Sequence, residues 1–258
     1  PLGLFWVGHR TEATAVVLKA DGSALFSSGE DGQLLRWDLN DSGGHQRLKI
    51  PVWAATALLM LPDQMLAIGT RDGHIHLWPL GAKQSALDLV HHQDRITGLT
   101  LDRAGQQLIS GSDDQTIRVW ALPSGRLSQT FTAPKASITA LACHPQDGRI
   151  ISGDSTGNLQ VWNRQRPDVG RLLAKFSSAI TTAAISSDGR WLAVGLEEGN
   201  LPLWDLHQPI QLDGLRHDWA VRSLTFTPDS RMLVSTGADE TIRFWGLLEK
   251  EPEREKEG

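Results

Sequence analysis

Three sets of residues in this chain have the types that nucleophilic acyl transfer uses. They are Ser27, His9 and Asp31; Ser110, His92 and Asp114; and Ser235, His217 and Asp239. A serine hydroxyl activated by an imidazole, itself oriented by a carboxylate, is the apparatus of serine hydrolases. Each set also keeps a fixed distance from a tryptophan. The histidine lies 28 residues before it, the serine ten and the aspartate six, at Trp37, Trp120 and Trp245. A nucleophile is needed once. Three copies at one spacing point to a repeated structural part, in which buried indole, hydroxyl, imidazole and carboxylate satisfy one another.

The remaining chemical signals are weaker. Gly153-Asp154-Ser155-Thr156-Gly157 fits the nucleophile-elbow pattern, but Leu159-Gln160-Val161-Trp162 follows it and reads as a strand where that motif needs a helix. His74-Ile75-His76 sets two imidazoles on one strand face, with His91-His92 nearby in sequence. Zinc wants three or four convergent ligands, and no third appears at a recognisable spacing. The single cysteine, Cys143, excludes an internal disulfide framework and a four-cysteine metal site. No cofactor and no metal are expected.

The elements that must position these residues follow from the tryptophans. Trp37, Trp78, Trp120, Trp162, Trp204 and Trp245 are separated by 41, 42, 42, 42 and 41 residues. Between them lie short runs rich in Ile, Leu, Val and Thr, broken by Gly, Asp and Pro. Asp-Gly pairs recur at 21–22, 31–32, 72–73, 147–148 and 188–189, where tight hairpins need positive φ. No segment sustains a 3.6-residue apolar period, so almost no helix is expected. Units of this length, with four strands and a tryptophan near the end of the third, resemble the WD-repeat β-propeller. The resemblance covers residues 2 to 245. The Trp-Asp dipeptide itself stands only at Trp37-Asp38 and Trp204-Asp205.

The resemblance implies an all-β fold of six four-stranded antiparallel blades. It also implies that His, Ser, Asp and Trp hydrogen-bond in series across a blade. Units one, three and six hold the full set. Unit two has Ile50 and Ile68, unit four Pro134 and Thr156, and unit five Phe176, Val194 and Glu198 at corresponding positions. The sixth unit continues past Trp245 into a charged stretch with Pro252, a poor strand. Residues 2 to 7 are therefore expected to supply its outer strand and close the ring. The propeller is expected to occupy residues 1–248, with 249–258 as a charged flexible tail.

Composition narrows the function. Twenty-five Lys and Arg against 30 Asp and Glu give a net charge of −5 over 258 residues, with no basic excess for phosphate backbones. The longest apolar stretches, such as Ala54 to Leu61, fall far short of the ~20 residues of a membrane span. No secretory signal is visible, and a cytoplasmic location is expected. The chain begins with Pro1 rather than Met, as a processed or excised piece does.

In the resembling family, partners usually sit on the face bearing the loops before each first strand. The corresponding positions give Glu12, Trp53, Arg95 and Arg222, and, just before the aspartate position, Glu30, Arg71, Asp113 and Glu197. Trp219 lies beside them in sequence. Their mixed charge suits a protein partner better than a nucleic acid. The expected function is a non-catalytic protein–protein interaction scaffold, as a subunit or domain of a larger assembly. An enzyme using the central channel, or a reader of phosphorylated or modified peptides, stays open as the alternative.

Overall fold

The computed structural model describes residues 8–40, 45–48, 54–82, 84–133, 136–164, 166–208, 210–212 and 214–247. Among these residues there is no helix. Six antiparallel sheets follow one another along the chain, each built from strands adjacent in sequence, in the arrangement of a six-bladed β-propeller. Five blades have four strands and the sixth has three, Val221–Phe226, Met232–Gly237 and Ile242–Gly246. The fourth strand expected from residues 2 to 7, the tail from 249 and Trp53 all lie outside the described residues.

Local chemistry explains the hairpins. Gly22, Gly32, Gly73, Gly148 and Gly189, the second residues of the five Asp-Gly pairs, all have φ between 68° and 84°, where a Cβ would be strained. Between the turns, the second strand of each blade has a neighbour on both edges, and in blades 2 to 5 it has a packed blade on both faces. Such a strand becomes a continuous apolar run. Trp191–Leu196 is buried at every position. The outer strand Arg126–Thr132 instead alternates between exposed and covered residues.

The core is divided among the blade interfaces. Five clusters of buried side chains are present, and each draws on two neighbouring blades, from blades 1 and 2 through blades 5 and 6. Trp120 and Trp162 are essentially inaccessible. Burying a large apolar side chain contributes roughly 1.5–3 kcal/mol.

Two further regularities tie the blades together. Thr14, Thr56, Thr97, Thr139 and Thr181 each donate a hydroxyl to a carbonyl of the next blade, at Ala55, Ile96, Ile138, Ile180 and Val221, over 2.5–2.7 Å. Beside them, a glycine admits the apolar residue of that next blade. A Cβ on Gly69 would meet Ile96 Cγ2 at 2.5 Å, and one on Gly111 would meet Ile138 Cγ2 at 2.7 Å. Where blade 1 has Ser28 in place of this glycine, its partner shrinks to Ala55.

Unit two departs from the expected numbering by one residue. Met60 pairs with Leu66, six residues on, whereas Leu101 pairs with Leu108 and Ile185 with Leu192, seven residues on. Its first hairpin is one residue shorter. The loop-face position assigned to Trp53 by counting from the tryptophan therefore belongs to Ala54.

Candidate functional site: the loop face and the relays beneath it

The three Ser-His-Asp sets form closed hydrogen-bond series. His9 Nδ1 lies 3.1 Å from Asp31 Oδ1 and its Nε2 2.7 Å from Ser27 Oγ, which accepts the Trp37 indole N–H at 2.8 Å. In blade 3 the matching distances are 2.8 Å from His92 to Asp114, 2.7 Å to Ser110 and 2.9 Å from Trp120 to Ser110. In blade 6 they are 2.9 Å from His217 to Asp239, 2.7 Å to Ser235 and 2.8 Å from Trp245 to Ser235.

The order Asp–His–Ser is that of a hydrolytic triad, and the surroundings decide against that chemistry. A carboxylate only accepts, so Nδ1 carries the imidazole proton and Nε2 accepts the serine O–H. The serine oxygen then accepts the indole N–H. Ser110 and Ser235 are wholly inaccessible and Ser27 nearly so.

Each aspartate does a second job. Asp114 accepts backbone N–H groups from Gln93 at 3.0 Å and Thr116 at 2.9 Å, and the Thr116 hydroxyl at 2.6 Å. Asp31 likewise accepts the N–H of Arg10 at 2.9 Å and of Gln33 at 3.1 Å, and Asp239 that of Asp218 at 3.1 Å and of Thr241 at 3.2 Å. The carboxylate thus ties the loop before the first strand to the turn between the second and third. Burial pushes the Asp31, Asp114 and Asp239 carboxyls upward, but these donors outweigh it and hold all three below the ordinary carboxylate range. Burial also pushes the His92 imidazole below its ordinary value, against the pull of Asp114.

The incomplete units find other solutions. Trp162 still donates to Ser152 Oγ at 2.8 Å, while Asp154 accepts from Thr156 and Asn158. In blade 5 the Phe176 ring stands where the histidine would and packs edge-on against Trp204, with centroids 5.9 Å apart. Blade 2 closes its turn with Thr70 donating to Asp72.

The loop-face residues are brought together in pairs by one repeated backbone bridge. Glu30 N–H donates to Glu12 O at 3.0 Å, Arg71 to Ala54 at 3.2 Å, Asp113 to Arg95 at 2.9 Å and Glu197 to Ala179 at 3.0 Å. Glu12, Glu30, Arg71, Arg95 and Glu197 are exposed, and Asp113 is half-buried. Trp219, in the loop entering blade 6, is 68% exposed. Arg222 is exposed too, at the position that carries the bridging threonine in the other blades. Arg71, Arg95 and Arg222 belong to blades 2, 3 and 6.

The other chemical signals resolve locally. Gly153 to Gly157 join two strands, Ile150–Asp154 and Asn158–Asn163, so the elbow pattern sits in a hairpin. His76 Nδ1 pairs with Asp88 at 2.7 Å across two strands, a partner that sequence spacing did not reveal. Among the described residues, no group of three or more His, Cys, Asp or Glu is arranged to hold a metal. Burial pushes the Cys143 thiol up to about 11, which suppresses the reactive thiolate.

Antiparallel blades of three or four described strands, each with an indole packed into it, define a β-propeller. Residues 83–121, 125–163, 170–205 and 211–246 match the family described as WD domain, G-beta repeat, and the chain belongs to this WD40 repeat family. It is 28% identical over 105 residues to WD repeat-containing protein 55 of Danio rerio, covering 39% of this chain and 26% of that protein. It is 29% identical over 106 residues to the target of rapamycin complex subunit wat1 of Schizosaccharomyces pombe, covering 40% of this chain and 33% of that one. These matches span about a quarter to a third of the relatives. Among solved structures, the computationally designed Ika8 protein superimposes with a TM-score of 0.72 at 26% identity, over 93% of this chain and 72% of that one.

Proposed function

We propose that this chain is a non-catalytic scaffold whose loop face holds a protein partner, with Trp219 as the principal anchor. The observation that carries the reading is the 68% exposure of Trp219 on a face that also exposes Glu12, Glu30, Arg71, Arg95 and Glu197. Exposed Trp and Arg supply most of the energy at protein interfaces. Burial of all three relay serines supports a role without catalysis. The name of one relative, a complex subunit, agrees with work inside an assembly. A net charge of −5 and the interspersed signs on the face favour protein over nucleic acid. No described helix is long and apolar enough to cross a membrane. A cytoplasmic location is part of this proposal.

The test is affinity capture with wild type, Trp219→Ala and Arg95→Glu, followed by identification of the captured proteins. A partner held by wild type should be lost from Trp219→Ala, weakened by Arg95→Glu and unaffected by Asp154→Asn. Identical capture by wild type and both face variants would sink the reading.

A further inference from the structure

We propose, resting on the loop-face reading, that Trp219 and the carboxylates around it receive a lysine- or arginine-bearing segment of the protein partner, with a cationic side chain lying on the indole. Trp219 is 68% exposed, and its loop is held between two turns. On one side, His217 N–H donates to Gly199 O at 2.9 Å, and a Cβ on Gly199 would come within 2.9 Å of Trp219 O. On the other, Ala238 N–H donates to Ala220 O at 2.8 Å. The turn from blade 5 brings Glu197 and Glu198, and the turn within blade 6 brings Asp239 and Glu240. Asp218 adjoins Trp219 in the chain itself. Glu197, Glu198, Asp218 and Glu240 are all exposed.

Charge decides the chemistry of the partner. The segments 197–200, 216–222 and 238–243 carry five carboxylates against three guanidiniums, those of Arg216, Arg222 and Arg243. Arg243 is already paired, with Asp218 at 3.2 Å and with Asp239 at 3.0 Å. Glu198 accepts from the neutral Asn200 amide at 2.8 Å and keeps its charge. An acidic segment would meet like charge here. An apolar one would take water from the carboxylates and return no hydrogen bond. A lysine or arginine answers both needs, because the indole face attracts a cation and the carboxylates accept its N–H groups.

One of these carboxylates can be removed without harm to the fold. Five residues before the blade tryptophan stand Gly32, Gly73, Gly157 and Gly199 in blades 1, 2, 4 and 5, with φ between 69° and 91°. Blade 6 keeps the left-handed turn, with φ at 61°, but places Glu240 there, where glycine would sit without strain. Replacing Glu240 by glycine therefore deletes the charge and relaxes the backbone together, so lost binding and lost folding separate.

Fluorescence anisotropy with two labelled synthetic peptides tests this, one of lysine spaced by glycine and serine, the other with glutamate in place of lysine. The lysine peptide should bind wild type, less tightly as salt rises, and the glutamate peptide should not bind. Trp219→Ala and Glu240→Gly should each weaken the lysine peptide about threefold or more, with the melting temperature of Glu240→Gly no lower than that of wild type. Asp63→Asn, an equal change of charge at an exposed turn of blade 2, should leave binding unchanged. Equal binding of the two peptides, face variants that bind as wild type does, or an equal loss from Asp63→Asn would overturn the proposal. In affinity capture, a protein lost from Trp219→Ala but fully held by Glu240→Gly would uphold the loop-face reading and reject the cationic segment.

Discussion

At the scale of single residues, each relay aspartate gathers several donors from two loops. Removing Asp114 strands the His92 Nδ1–H and the N–H groups of Gln93 and Thr116 at once. His92 is buried, and stranding its Nδ1–H costs about 1–3 kcal/mol. Protonation acts in the same direction. The Asp31, Asp114 and Asp239 carboxyls titrate lower in the folded protein than the ordinary 3.8, and the His92 imidazole lower than its ordinary 6.5. The unfolded chain therefore binds protons first, and stability falls with pH. The melting temperature should be flat between about pH 7 and the ordinary thiol value of 9, decline as His92 gives way below its ordinary value, and drop further as pH falls through the carboxylate range. A melting temperature that rises between neutrality and mild acid would contradict this assignment. A fluorophosphonate probe should label none of Ser27, Ser110 or Ser235 in the native protein; mass-spectrometric detection of one adduct would restore the hydrolase reading.

At the scale of elements, the chain relies on small residues at the second strands and on threonines at the first. Gly111→Ala should lower stability, because the new Cβ meets Ile138, and adding Ile138→Ala should recover part of the loss, reproducing the natural Ser28–Ala55 pair. Additive losses in urea denaturation would show that the two sites do not touch. Thr97→Val should cost about 1 kcal/mol by removing the bridge to Ile138 O. The strands and turns were legible in the sequence because their signals are local: Asp-Gly pairs, β-branched runs and a tryptophan every 41 or 42 residues. The threonine bridges were not, because each joins residues about 40 apart on different blades. Thr14, Thr97, Thr139 and Thr181 stand two residues after the loop-face positions, and their hydroxyls bond to the next blade. The misplacement of Trp53 has a similar origin, since counting back from Trp78 runs across a hairpin that is one residue shorter.

At the scale of the molecule, the six sheets form a frame in which the polar sets hold loops in place and the loops carry the variable chemistry. The frame was readable from period alone. What the frame presents was only partly readable, since the exposure of Trp219 depends on how the loop entering blade 6 leaves the sheet. The exposure of Ile242 and Phe244 was hidden from sequence, because both stand at positions that Ile75, Leu77, Ile117 and Val119 bury in other blades. The central claim is that the Ser-His-Asp sets are struts. Thermal denaturation of Asp114→Ala beside wild type at neutral pH tests it most directly. The account predicts a loss of several degrees, at about 2–4 °C for each kcal/mol in a domain of this size, with capture by the loop face of the distant blade 6 retained. A melting temperature equal to that of wild type would contradict it.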